Sequence, residues 1–414
     1  MKDLIFKRLL SYLVMYRKKT FFILLYCLTV FSDCTCQQNN NINENKIIVG
    51  AERIQLYFPL LENKRIGLVA NHSSMIGQTH IKDTLVAAGI NLIRIFSPEH
   101  GFRGVKDAGE KWNGYVDEKT GIPIVSLYGK DRKPQKKDIA DLDIIIFDIQ
   151  DVGVRFYTYI STMHYVMSAC AEWNIQFLVL DRPNPNGFYV DGPVLKKQYS
   201  SFVGMHPVPI VHGMTIAEYA HMINEEGWLE GQKKCQLQWI SCENYTHSDY
   251  YELPHDPSPN LQTMRAVYLY PSLGLFEGTK ISAGRGTPAP FEIFGHPDLK
   301  FGQFHFTPES IPGKSLHPKH KGQKCRGIDL RDIPLDSLKN NKCVQLKWLI
   351  KTYQHFPEQQ DFFNSFFEKL TGTGILREQI EQNLSEKIIR ESWRKELTQF
   401  MKIRKKYLLY PDYE

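Results

Sequence analysis

The sequence predicts an α/β protein in which a parallel, doubly wound sheet domain is followed by a smaller α+β domain. Three observations carry that expectation. From Lys64 onward short apolar runs alternate with helical patterns, the signature of strands joined by crossover helices. Two of those runs, Ile-Ile-Ile-Phe before Asp148 and Phe-Leu-Val-Leu before Asp181, are continuously apolar, as strands covered on both faces are. After about residue 265 the texture changes to Pro, Gly and aromatic residues, and a helical tail closes the chain.

The elements follow in order. Candidate strands are Arg65–Ala70, Leu92–Ser97, Pro123–Leu127, Asp143–Asp148 and Gln176–Leu180. Over Ser161–Asn174 the residues Met163, Val166, Met167 and Cys170 keep the i, i+3, i+4, i+7 spacing of one helix face. Thr215-Ile-Ala-Glu218 is a capping-box signature, and Ile216, Tyr219, Ala220 and Ile223 line one side of the helix it starts. In the tail, Ile389, Trp393, Leu397, Phe400 and Tyr407 step by helical intervals. No internal repeat is visible.

The 414 residues are 42% apolar and 12% aromatic, an ordinary globular composition that excludes wholesale disorder and a multi-span membrane protein. The net charge of +6 is local. Six Lys/Arg and one Asp fall in residues 1–20, leaving 45 bases against 44 acids in the remainder. A basic nucleic-acid footprint is therefore absent. The basic segment ending at Lys19, the apolar run Phe21–Phe31 and the exit Ser32-Asp33-Cys34 have the three parts of a secretory signal. The rival for this segment is a buried N-terminal helix. Cys34 is a candidate lipid-attachment cysteine, although Phe31 and Asp33 fit that cleavage pattern poorly. The organisation expected is a signal over 1–36, a tether over 37–46, a catalytic sheet domain over 47–265 and an auxiliary α+β domain over 266–414. Export to the periplasm or a membrane surface follows, with the membrane involved only through the anchor. None of the cysteines forms a C-x-x-C pair that would suggest zinc. Cys170 reads as core, and an oxidising compartment would permit a Cys235–Cys242 disulfide.

Ligands of open α/β sheets bind beyond the carboxyl ends of the strands. There the chain places Asn71-His72, then Ser97-Pro98-Glu99-His100-Gly101, then Asp148 to Arg155, then Asp181-Arg182-Pro183-Asn184. Any one of these residues serves equally well as a cap or turn residue. Four of the five exits carrying carboxylate, His or Arg go beyond capping.

Those residues also carry a resemblance. S-P-E-H-G-F-R-G (97–104), I-F-D-I-Q-D-V-G-V-R-F-Y-T-Y-I-S-T-M (146–163), D-R-P-N-P (181–185) and S-F-V-G-M-H-P-V-P-I-V-H-G-M-T (201–215) are joined by P-S-P-N (257–260), F-E-G-T (276–279), G-R-G-T (284–287) and P-F-E (290–292). Together they resemble the bacterial exo-β-N-acetylmuramidases of the NamZ/YbbC type, from about Lys46 to the end. The resemblance implies a Rossmann-like domain without a nucleotide, a smaller second domain and a cleft between them. It implies release of N-acetylmuramic acid from the non-reducing end of peptidoglycan fragments in cell-wall turnover. It also points to Glu99 for catalysis.

Considered as chemistry, glycoside hydrolysis usually needs one carboxyl to protonate the leaving oxygen and a second group as base or nucleophile. Glu99, after Pro in a strand-exit turn, is the natural acid, with His100 beside it. Asp148, Asp151, Glu277, Glu292 and Tyr157 are the candidates for the second role. N-acetylmuramic acid differs from its neighbour sugar by a lactyl carboxylate, which calls for a cation, and arginine's planar fork suits it best. Arg103, Arg155, Arg182 and Arg285 are the candidates. Arg285 lies between Gly284 and Gly286, which would let backbone approach a ligand closely. Asn71, Asp181, Glu277 and Glu292 complete the expected substrate-binding set, with Tyr157 and Tyr159 as stacking rings or core. No metal or cofactor is expected. A nucleotide-dependent oxidoreductase lacks its glycine-rich cradle, and a metal site built from Asp148, Asp151 and His100 lacks a recognised ligand spacing. The alternative function is a non-catalytic surface lipoprotein that binds glycan in the same cleft.

Overall fold

The computed structural model describes residues 46–104, 114–129 and 131–413. The expected signal, Cys34 and nearly all of the tether lie outside the described residues. Seven strands make the main sheet: β1 (Ile66–Ala70), β2 (Leu92–Ser97), β3 (Tyr115–Val116), β4 (Pro123–Ser126), β5 (Ile144–Asp148), β6 (Gln176–Leu180) and β7 (Gln236–Ile240). Their spatial order is β3-β4-β2-β1-β5-β6-β7. Every pairing is parallel except that of β3 with β4. Counting the parallel strands alone, the order is third, second, first, fourth, fifth, sixth, the doubly wound arrangement that reverses at the first strand. Ala70 at the end of β1 pairs with Asp148 at the end of β5, so the two exits flanking the reversal are level.

Alternation along each strand feeds two cores, one on each face. Ile145, Phe147, Phe177 and Val179 enter one core, whereas Ile66, Leu68, Ile144, Ile146, Leu178 and Leu180 enter the other. That is why these strands read as unbroken apolar runs. The first face is covered by α1 (Tyr159–Trp173) and α2 (Ile216–Glu225), whose Met163, Val166, Met167, Cys170, Tyr219 and Ile223 are buried there. Helix α1 begins two residues earlier than expected and ends at Asn174, which takes the left-handed cap at φ 54°. Helix α2 has the capping box: Thr215 accepts from the Glu218 amide, and the Glu218 carboxylate accepts from the Thr215 amide at 2.8 Å. The other face is covered by the helices Ile54–Leu61 and Ile81–Ala87.

Strand β7 was not legible as a strand, because exposed Gln236 and Gln238 alternate with half-buried Leu237 and Trp239 at the sheet edge. The later part of the chain adds α3 (Met264–Leu273) and a three-stranded antiparallel sheet of β8 (Ile293–His296), β9 (Phe304–Phe306) and β10 (Cys325–Asp329), ordered β8-β10-β9. It closes with α4 (Glu386–Arg404), which buries Ile389, Trp393 and Phe400. The buried Arg404 guanidinium donates to the Gly213 carbonyl and pairs with Asp412, tying the tail to the segment before α2. Ile47–Glu414 packs as one unit, and a single core runs from Val69 to Tyr407 across residue 265.

The Cys235–Cys242 disulfide is not formed; both thiols are free and buried. The two residues flank β7, and an extended strand of that length separates its ends by about 20 Å. A disulfide requires Cα atoms within about 7 Å. Among the described residues, no helix is long and apolar enough to cross a membrane.

Candidate active site

The exit of β2 turns sharply. His100 and Gly101 both take left-handed backbone, at φ 69° and 74°, and the Gly101 amide closes the turn on the Pro98 carbonyl at 3.2 Å. Such a conformation at a histidine costs roughly 1–2 kcal/mol and needs its surroundings to hold it. The turn sets Glu99 and His100 into a cleft of about 250 Å³. Tyr128, beyond β4, and the run Phe156–Tyr159, which leads from β5 into the first residue of α1, line the same cleft, as does Phe202. The later part of the chain contributes Ser258, Asn260, Tyr270, Glu277, Arg285 and Phe291.

Glu99 is held from two directions. Thr158 Oγ1 donates to its Oε2 at 3.1 Å. The Tyr128 phenol faces it, and burial together with the Glu99 charge pushes that phenol well above the ordinary tyrosine range. Tyr157 donates its hydroxyl to the Pro257 carbonyl at 2.7 Å, so its ring is fixed at the cleft wall. Tyr159 lies edge-on to Tyr157, with ring centroids 4.7 Å apart.

Arg285 Nε donates to Glu277 Oε1 at 3.1 Å, and its guanidinium stands 4.9 Å from the Phe291 ring centroid. Nη1 of Arg285 is buried with no hydrogen-bond partner among the described residues. Gly284 and Gly286 on either side are both left-handed, at φ 79° and 77°. A Cβ on Gly286 would stand 2.5 Å from the Glu309 carbonyl oxygen, so only glycine fits the turn that presents Arg285. Burial alone would raise the Glu277 carboxyl, but Arg285 and Lys319 outweigh burial and hold it below its ordinary value. The cleft therefore combines a carboxyl at a turn, a second carboxylate kept ionised, and a guanidinium edge with unused donors.

Of the residues expected from sequence, Glu99, His100, Tyr157, Tyr159, Glu277 and Arg285 line this cleft. The others do not. Asp148 and Arg182 form a buried bidentate pair at 2.6 and 2.9 Å, and Arg182 also donates to the Met75 carbonyl. Asp181 accepts from Thr215 Oγ1, the Ala217 amide and the Tyr410 hydroxyl, anchoring the start of α2 and the tail. Asp151 accepts from the Gly153 amide at 2.7 Å. Burial pushes both Asp151 and Asp181 up to about 7. Arg155 is fully buried and donates to the carbonyls of Pro193, Val208 and Leu370. Arg103 is exposed and pairs with Asp117 at 3.2 Å. Asn71 accepts from Ser73 in the turn after β1, and Glu292 accepts from Thr263, the N-cap of α3, at 2.6 Å.

Tyr128, Tyr270 and Phe202 were missed. Tyr128 follows a strand end as Glu99 does, so the strand-exit argument applied to Pro123–Leu127 finds it. Tyr270 comes from the middle of a helix and carried no local signal. Among the described residues, no three His, Cys, Asp or Glu side chains are grouped to hold a metal ion.

Family models described as exo-β-N-acetylmuramidase NamZ, N-terminal and C-terminal, match residues 66–265 and 268–410. The chain is 38% identical over 420 residues to the peptidoglycan β-N-acetylmuramidase NamZ of Bacillus subtilis (strain 168), covering 95% of this chain and 100% of that protein. It is also similar to two solved DUF1343 family proteins from Bacteroides fragilis. One is 46% identical with a TM-score of 0.83, covering 89% of this chain and 99% of the other. The second is 29% identical with a TM-score of 0.76, covering 88% and 99%.

Proposed function

The chain belongs to the exo-β-N-acetylmuramidase NamZ family, and on that premise we propose that it is an exo-acting glycoside hydrolase releasing N-acetylmuramic acid from the non-reducing end of peptidoglycan fragments. The observation that carries the reading is one cleft holding Glu99 together with the Glu277–Arg285 pair. A cleft of about 250 Å³ suits one terminal sugar better than a run of sugars.

In this reading Glu99 gives its proton to the glycosidic oxygen as the bond from the anomeric carbon breaks. Thr158 and Tyr128 fix the carboxyl that does so. Glu277, ionised beside Arg285, supports the positive charge that develops on the sugar, and acts at the anomeric carbon either through water or directly. The free edge of Arg285 receives the lactyl carboxylate, the group that distinguishes muramic acid from glucosamine. The rings of Tyr157 and Phe202 provide apolar surface for the sugar faces. Water is the only co-reactant.

Residues 47–265 then supply the acid and the sheet that places it, and residues 266–414 supply the ion pair. The secretory pattern of the amino-terminal residues supports a location in the periplasm or on a membrane surface. The deciding experiment is incubation with N-acetylmuramyl-N-acetylglucosamine and detection of free N-acetylmuramic acid. Binding of the disaccharide without cleavage would favour a glycan-binding protein instead.

A further inference from the structure

Lys319 was not singled out by any sequence pattern, yet three consecutive residues around it clamp the second-carboxylate side of the cleft. Pro318 packs against Gly286, where an added Cβ would meet its ring at 2.6 Å. Lys319 Nζ donates into a cage of carbonyls, from Phe276 at 2.9 Å, Glu277 at 3.0 Å, Thr279 at 2.8 Å and Ile281 at 3.3 Å. His320 Nε2 lies 2.7 Å from the Lys280 carbonyl. One short segment thus grips both the turn that presents Arg285 and the turn that carries Glu277.

We propose that Lys319 is a positioning residue of the hydrolysis, its caged ammonium fixing the Glu277 turn and standing as a cation behind that carboxylate. The inference rests on the reading of Glu277 as the second carboxylate. An ammonium has three donors and no acceptor, so a cage of carbonyls suits it. Carbonyls alone would be served by a neutral amide. A charge in this half-buried place is costly: burial pulls the Lys319 amine below the ordinary lysine value even with Glu277 nearby. The groups facing Glu277 are Arg285, Lys319 and Tyr270, while Arg285 is also within electrostatic reach of Glu99. Lys319 and Arg285 are the two cations of that set, and both favour the ionised Glu277.

The test compares Lys319→Met, Lys319→Gln and Lys319→Arg using a chromogenic N-acetylmuramic acid glycoside across pH. Ionised Glu277 is the active form, so losing a neighbouring cation raises its pKa. The acidic limb of kcat/KM should then move upward by about one pH unit in the Met and Gln variants, with kcat lowered about tenfold and KM little changed. Gln keeps donors for the carbonyls, so it remains informative if Met prevents folding. Arg retains the charge and should leave the limb in place. A Gln variant with the wild-type limb and only a lower Tm would make Lys319 a structural staple and overturn the inference. Glu277→Gln separates the two levels. If it turns over normally, the reading of Glu277 falls and takes the inference with it. If it is inactive while the Lys319→Gln limb is unmoved, only the role of Lys319 is lost.

Discussion

Thr158 Oγ1 donates to Glu99 Oε2 at 3.1 Å, although Thr158 is the N-cap residue of α1 and its hydroxyl makes no capping bond. A threonine in that place ordinarily satisfies an amide of the first turn. Here the hydroxyl is given to the carboxyl at the exit of β2, linking helix and strand exit at the point where the chemistry is proposed.

Thr158→Val keeps the branched shape and removes the donor. An ordinary hydrogen bond contributes about 0.5–1.5 kcal/mol, so kcat on the disaccharide should fall by about two- to tenfold. Tm should hardly change, because no capping bond is lost. Steady-state kinetics and a melting curve on the same preparation decide it; a lower Tm with normal kcat would place Thr158 in the scaffold.

Arg285→Lys retains a cation beside Glu277 but loses the planar fork. The preference for an N-acetylmuramic acid glycoside over the matching N-acetylglucosaminide should drop by about tenfold, read as a ratio of kcat/KM values. An unchanged ratio would remove Arg285 from lactyl recognition.

Asp151 bears on stability through its protonation. Its folded value of about 7 lies above the ordinary 3.8. Between those values the folded protein keeps a proton that the unfolded chain has released, so stability is lost as pH rises through that window. Asp151→Asn should flatten the fall in Tm between about pH 4 and pH 7, leaving the part due to Asp181. Tm measured across that range in both proteins gives the comparison, and an identical slope would contradict the assignment.

The export reading predicts a mature chain beginning at or shortly after Cys34. Mass spectrometry of the native protein tests this. An intact Met1 on a soluble cytoplasmic product would contradict it.

Much of the sheet was legible because β1, β5 and β6 are buried on both faces, which leaves long apolar runs in the sequence. Strand β7 escaped because an edge strand with alternating glutamines looks like a loop. In the cleft, Glu99 was legible because it follows a strand end. Arg285 was legible because it falls within one of the shared motifs, between two glycines whose missing side chains let backbone come close to a ligand. The same strand-exit argument pointed equally to Asp148, Asp181 and Arg182, which the fold spends on buried ties. Sequence supplies the residue types at an exit; which of them faces the cleft depends on partners a hundred residues or more away in the chain, as with Tyr157 and Pro257 or Glu99 and Arg285. Lys319 carried no local signal, since its partners are backbone carbonyls and any sequence could provide them.

Glu99 is the residue on which the proposed hydrolysis turns. Glu99→Gln preserves shape and hydrogen bonding but removes the proton to be transferred. Its turnover of N-acetylmuramyl-N-acetylglucosamine, followed as free N-acetylmuramic acid, should fall by about 10²–10⁴-fold with binding and Tm nearly unchanged. A folded variant that releases N-acetylmuramic acid at close to the wild-type rate would contradict it.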